Sequence, residues 1–198
     1  QLFLQSAQRV RPDFELTEDN LVDVNRICQL VQGMPLGIIL SASWLGVLNP
    51  AEVVQEMDHS LDFLTTDEID LPERQRSIRA VFDYSWESMT ASEQNIFMKK
   101  SVFRGGFTRE AAEKIADATL RGLMTLSTKS LIHRNSDTGR YTIHELLRQY
   151  AEEKLQTAQL LDQTREVHAN CYVKMAETAE IELRYADQEF WYRRLEDE

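Results

Sequence analysis

A chain of 198 residues, 42% apolar and 28% charged, is sized for one large or two small packed domains, and this composition excludes a disordered polypeptide. The formal charge of −11 argues against a general binder of nucleic acid or anionic membrane, because both require a basic surface. No run approaches the roughly 18 apolar residues of a membrane span, and the first residues lack the basic and apolar regions of a secretory leader.

The charge is unevenly spread. Basic and acidic residues number 6 and 15 over 1–90, 11 and 8 over 91–158, and 5 and 10 over 159–198, so a mildly basic middle (+3) lies between acidic flanks. Cys28 and Cys171 fall far apart in helical stretches and are expected as buried free thiols, which fits a reducing cytoplasm. The chain opens and closes inside helical patterns and reads as a piece of a longer protein.

In chain order, Leu2, Phe3, Ala7 and Val10 recur at helical spacing before Pro12. Thr17 caps a second helix with Leu21, Val24, Ile27, Cys28 and Val31 as its buried stripe, and that helix stops at Gly33. Pro35 opens a third, apolar on nearly every face and so expected at the centre. Asn49-Pro50-Ala51-Glu52 starts a fourth. Residues 1–64 thus predict a four-helix bundle. TTDEIDLP, 65–72, marks a linker.

From Glu73 the spacing predicts further helices. One carries Ile78, Val81, Phe82 and Met89. The next, capped at Thr90, carries Ile96, Phe97 and Val102, and Gly105-Gly106 breaks it. Two more carry Ala111 to Ala116 and Leu120 to Ser127. Strands SLIHRN and RYTI follow, joined by Ser136-Asp137-Thr138-Gly139, and a helix begins at His144. The last three of these helices, the hairpin and the helix after it are the order of a winged helix-turn-helix, within 73–158. Residues 159–198 predict helices, with Val167, Cys171, Val173, Met175, Ala176 and Ala179 on one face, that would suit the start of a repeat array.

Catalytic patterns are missing. No Ser or Cys lies in a nucleophile motif, no phosphate-binding Gly-rich loop with Lys and Ser or Thr is present, and His59, His133 and His168 lack a second metal-ligand residue at suitable spacing. Two spots remain. Gly33-Met34-Pro35-Leu36 turns the chain sharply and presents the N–H groups of a new helix; His144-Glu145 stands at a strand-to-helix joint where an anion is easily held. On spacing alone each also reads structurally, as a tight inter-helix turn and as a helix cap.

Taken together, GMPLGIILSASWL resembles the GxP motif and following helix of STAND-class (NB-ARC-like) nucleotide switches. LPERQRSIRAVFDYSWESM, FRGGFTREAAE and RYTIHELLRQYAEEKL resemble, in the same order, the winged-helix subdomain of bacterial members of that class. The resemblance implies a mainly α chain: an ARC-type helical subdomain (1–64), a linker (65–72), a winged-helix subdomain with a small hairpin wing (73–158), and the start of TPR-like repeats (159–198). It implies that Pro35 packs against the adenine of bound ADP or ATP, that Gly33 permits the turn, and that His144 holds the β-phosphate as the histidine of the MHD motif. Here Ile143 replaces the motif methionine and Glu145 the aspartate, which leaves the role of Glu145 open.

The implied partners are an upstream P-loop domain, which carries the catalytic residues this segment lacks, downstream helical repeats, and further copies of the protein on activation. The implied function is a non-enzymatic regulatory module of a signalling ATPase that hydrolyses ATP slowly. Two alternatives stand beside it: a DNA-binding winged-helix transcription regulator, for which TLRGLMTLSTKS offers only Arg121 and Lys129 as cations, and a helical scaffold for protein partners.

Overall fold

The computed structural model describes residues 1–59, 61–66, 76–184 and 188–196. Among these, the fold is mainly helical: eleven α-helices and one two-stranded antiparallel sheet. The chain divides into two units, 1–89 with 145–150, and 90–144 with 151–198.

The first unit begins with α1 (Leu2–Val10), α2 (Glu18–Leu30), α3 (Pro35–Ser43) and α4 (Pro50–His59), followed by α5 (Ile78–Glu87). Local chemistry sets the starts. The Thr17 N–H donates to Asn20 Oδ1 at 3.0 Å, closing the first turn of α2 on itself. At α4 the Asn49 N–H donates to Glu52 Oε2 (2.8 Å) while the Glu52 N–H donates to Asn49 Oδ1 (3.0 Å), a reciprocal box that satisfies two orphan donors. α1 packs on α3 and α2 on α4, which places α3 centrally with Ile38, Leu40 and Ala42 buried. In α2, Val24, Ile27 and Val31 are buried as expected, but Leu21 is exposed and Cys28 only half-buried. Partial burial still pushes the Cys28 thiol up.

Trp44 stacks on Phe63 (4.6 Å) and its Nε1–H donates to the Phe63 carbonyl at 2.8 Å. Of the linker expected over 65–72, residues 67–72 lie outside the described residues, as do the first residues of the helix expected from Glu73. The flanks are paired: the Thr66 N–H donates to the Arg76 carbonyl at 2.8 Å.

Residues 145–150, the first part of α9 (Glu145–Thr157), complete this unit by burying Tyr150 against Phe82 (5.6 Å) and Trp86 (6.4 Å). The Tyr150 hydroxyl donates to Asp83 Oδ1 at 2.6 Å. Tyr150→Phe keeps the packing and deletes a hydrogen bond to a charged acceptor. It should lower the unfolding free energy by about 1–2 kcal/mol in urea titration, whereas an unchanged midpoint would show the bond to be energetically silent.

The second unit holds α6 (Ala91–Lys99), α7 (Arg109–Ala116), α8 (Leu120–Thr128), strands β1 (His133–Arg134) and β2 (Tyr141–Thr142), the rest of α9, α10 (Leu161–Glu182) and α11 (Gln188–Glu196). The hydroxyls of Thr90, Thr108 and Thr119 cap α6, α7 and α8 by accepting from the N–H groups of Glu93, Ala111 and Gly122. The strands are shorter than the sequence suggests: only His133↔Thr142 and Arg134↔Tyr141 pair. What anchors β2 is instead Phe107, which exchanges two backbone hydrogen bonds of 2.8 Å with Tyr141. Phe103, Phe107 and Tyr141 stack in series, 4.7 and 5.7 Å apart.

The apolar face expected on α10 is largely uncovered. Val167 and Val173 are exposed, Cys171 and Met175 half-buried, and only Ala179 of that stripe is buried. α10 packs on α7, on α11 and on the 3-10 turn Lys100–Val102. No helix among the described residues is long and apolar enough to cross a membrane.

Candidate functional site

Three places bear on function, and they divide between the two units. In the first unit, α2 ends at Leu30 and the chain reverses over 31–34. The reversal needs two consecutive residues with positive φ, Gln32 (45°) and Gly33 (73°), and glycine takes the more extended of these without a Cβ penalty. The Gly33 N–H donates to the Cys28 carbonyl at 3.0 Å, and that of Met34 to the Val31 carbonyl at 2.8 Å, closing the C-terminus of α2. Pro35 then occupies the first turn of α3, where its missing N–H costs nothing. Gly33 and Pro35 are both exposed, so the proline ring is open to a ligand or a protein surface.

In the second unit, His144 is half-buried between β2 and the first residue of α9. Glu145, the residue in the motif aspartate position, begins the part of α9 that belongs to the first unit, and it has a local partner there that sequence reading missed. Its carboxylate takes two hydrogen bonds from Arg148, from Nε (2.9 Å) and Nη2 (2.8 Å), and a third from Gln149 (3.3 Å). Arg148 is buried, and a guanidinium fork on one carboxylate is the arrangement that offsets burial of both charges. The i, i+3 spacing is readable in sequence, but it gave no sign that Arg148 would be buried.

The third place is the outward face of α8. Leu123 and Leu126 are buried, while Leu120 and Met124 are 59% and 63% exposed. Between and beside them the Thr125 and Thr128 hydroxyls donate back to the carbonyls of Arg121 and Met124, both at 3.0 Å, and so are not free as donors. Lys129 is engaged by Glu93 at 3.0 Å. The Thr90 backbone N–H and then Lys129 hold the Glu93 carboxyl below its usual value. The exposed face of α8 therefore brings forward two large apolar side chains and the Arg121 guanidinium. Among the described residues no group of three or more His, Cys, Asp or Glu side chains could hold a metal ion.

No family model matches the chain. It is similar to proteins of Mycobacterium bovis and Mycobacterium tuberculosis named provisionally as HTH-type transcriptional regulators, with 32% identity over 164 residues that take in 78% of this chain and 19% of each relative. It is also similar to an uncharacterised protein of Mycobacterium tuberculosis, 28% identical over 165 residues, which cover 78% of this chain and 42% of that protein. The chain thus spans about a fifth of the length of the regulators it matches.

Proposed function

We propose that this chain is a regulatory segment of a larger transcription regulator, of the STAND (NB-ARC-like) kind. Its units respond to ADP or ATP held by a P-loop domain outside the segment and pass that state to downstream helices or to self-association. The observation that carries this reading is the face of α8. In the winged helix-turn-helix order expected over 73–158, α8 takes the recognition position, and a helix that reads a duplex brings several basic or amide side chains to phosphates and base edges. Exposed Leu120 and Met124 suit a protein neighbour instead.

The two sequence-marked spots fit a nucleotide, each on its own unit. The exposed ring of Pro35 offers an apolar surface for a base, and no carboxylate stands in the turn 32–36. The residue after His144 is Glu145, whose charge is offset by Arg148. A histidine that reaches a phosphate in only one arrangement biases a two-state equilibrium by its differential contact. In the full-length protein, His144→Ala should weaken ADP binding roughly 10- to 100-fold by calorimetry, the value of one hydrogen bond to a charged group. Unchanged affinity would remove His144 from the site.

A second reading is that α7 and α8 themselves bind DNA, and the relatives' name favours it more directly than the first. A mobility shift of this chain on duplex DNA, run between about 50 and 200 mM salt, separates the two. The regulatory reading expects no shift at either salt. A shift that weakens with salt and is lost in Arg121→Ala would replace it.

A further inference from the structure

Within the second unit a groove of about 650 Å³ opens between α7, α10 and α11, a volume in the range of small-molecule sites. Tyr172, Cys171 and Met175 on α10 and Trp191 on α11 give it a largely apolar, partly aromatic wall. Three cations stand on its rim, Lys114 from α7, Lys174 from α10 and Arg194 from α11, against one acid, Glu110. This concentration of positive charge runs against a chain of −11, and against the acidic composition of 159–198 in particular.

Neighbouring charges pair with each other, Glu180 with Arg184 and Glu189 with Arg193, each one helical turn apart. Among the described residues no carboxylate lies within ion-pair distance of Lys114, Lys174 or Arg194. Arg194 is held by ring faces, with its guanidinium carbon 5.6 Å from the Trp191 centroid and 5.8 Å from that of Phe190. Among the described residues the Arg194 guanidinium has no carboxylate partner.

We propose that this groove binds a small organic anion with a flat apolar body. The aromatic wall takes the flat part by stacking, and Lys114, Lys174 and Arg194 take the charged end. The site is separate from the nucleotide-linked residues and does not depend on their assignment.

The probe is 8-anilinonaphthalene-1-sulfonate, compared with N-phenyl-1-naphthylamine, which has the same aromatic frame and no charge. The intact chain should bind the sulfonate saturably. Lys114→Ala/Lys174→Ala, which removes two exposed, unpaired side chains, should weaken sulfonate binding roughly tenfold and leave the neutral dye unchanged. Arg184→Ala, outside the groove, should change neither. As a readout independent of dye emission, the sulfonate should slow alkylation of Cys171 by iodoacetamide and leave Cys28 unaffected, with circular dichroism confirming that each variant is folded. Equal sulfonate affinity in the double variant, equal loss for both dyes, or unprotected Cys171 would overturn the proposal.

Discussion

Lys100→Met is expected to stabilise the protein by several kcal/mol at pH 6 and to flatten its stability between pH 7 and 10. Lys100 lies in the 3-10 turn that follows α6 and is fully buried. Its ammonium nitrogen has no hydrogen-bond partner among the described residues, and its nearest cationic compensation is the rings of Phe97 and Phe107, with centroids at 5.5 and 6.0 Å. On α10 the His168 ring lies 5.3 Å from Phe103, and Ala112, Ile115 and Ala116 of α7 are buried.

Burial pushes the Lys100 amine down to about 7, from an ordinary 10.5. Between those values the unfolded chain carries the extra proton, so stability rises with pH across that window. It is lowest below about pH 7, where folding must bury the charge. The full swing is on the order of 5 kcal/mol, since each pKa unit is worth about 1.4 kcal/mol. Methionine has a similar unbranched stem and no charge, so it fills the space and removes the linkage. Urea unfolding of both proteins at about pH 6 and pH 9.5 tests this, because other titrating groups cancel in the difference. Parallel pH slopes in the two proteins would show that Lys100 reaches water in the folded state.

The second large effect is at Gly106. Its φ is +92°, and a Cβ there would stand 2.8 Å from the Tyr141 carbonyl oxygen and 3.3 Å from Thr142 Cγ2. The obstacle is backbone, and it is the same oxygen that accepts the Phe107 N–H. Gly106→Ala therefore adds a disfavoured dihedral to a clash that only displacement of β2 can relieve, with a loss of about 3 kcal/mol or more. Gly105→Ala is the internal control: nothing lies within 4 Å of its would-be Cβ, and the change should stay within about 0.5 kcal/mol. Equal midpoints for the two variants in denaturant would disprove this account of Gly106.

The residues that begin helices were readable because a cap acts over three positions. Asn49 and Glu52, and Thr90 and Glu93, each meet a partner within one turn. The same holds for the reversal at Gly33 and Pro35. The hairpin was legible as a turn but not in extent, since the partner that anchors Tyr141 is Phe107, 34 positions earlier and outside either strand. For the site, the positions of Pro35 and His144 in their elements could be read. The buried Arg148 fork on Glu145 could not, because an i, i+3 ion pair looks alike on a buried and an exposed helix face.

The sequence alone determined the capped starts at Thr17, Asn49 and Thr90, the reversal at Gly33, and that the whole is mainly helical, because those properties rest on short-range hydrogen bonding and on period, whereas the helix expected from Glu73 begins only at Ile78. Tertiary structure decided which apolar and charged residues are covered. Leu120 and Met124 share α8 with Leu123 and Leu126, yet only the second pair is buried. Lys100 follows Lys99 in sequence, yet Lys99 reaches Asp117 at 2.6 Å while Lys100 is enclosed. Periodicity marks a face, but covering it takes an element brought from far along the chain, as α10 is brought to the turn at 100–102, and no local pattern encodes that arrival.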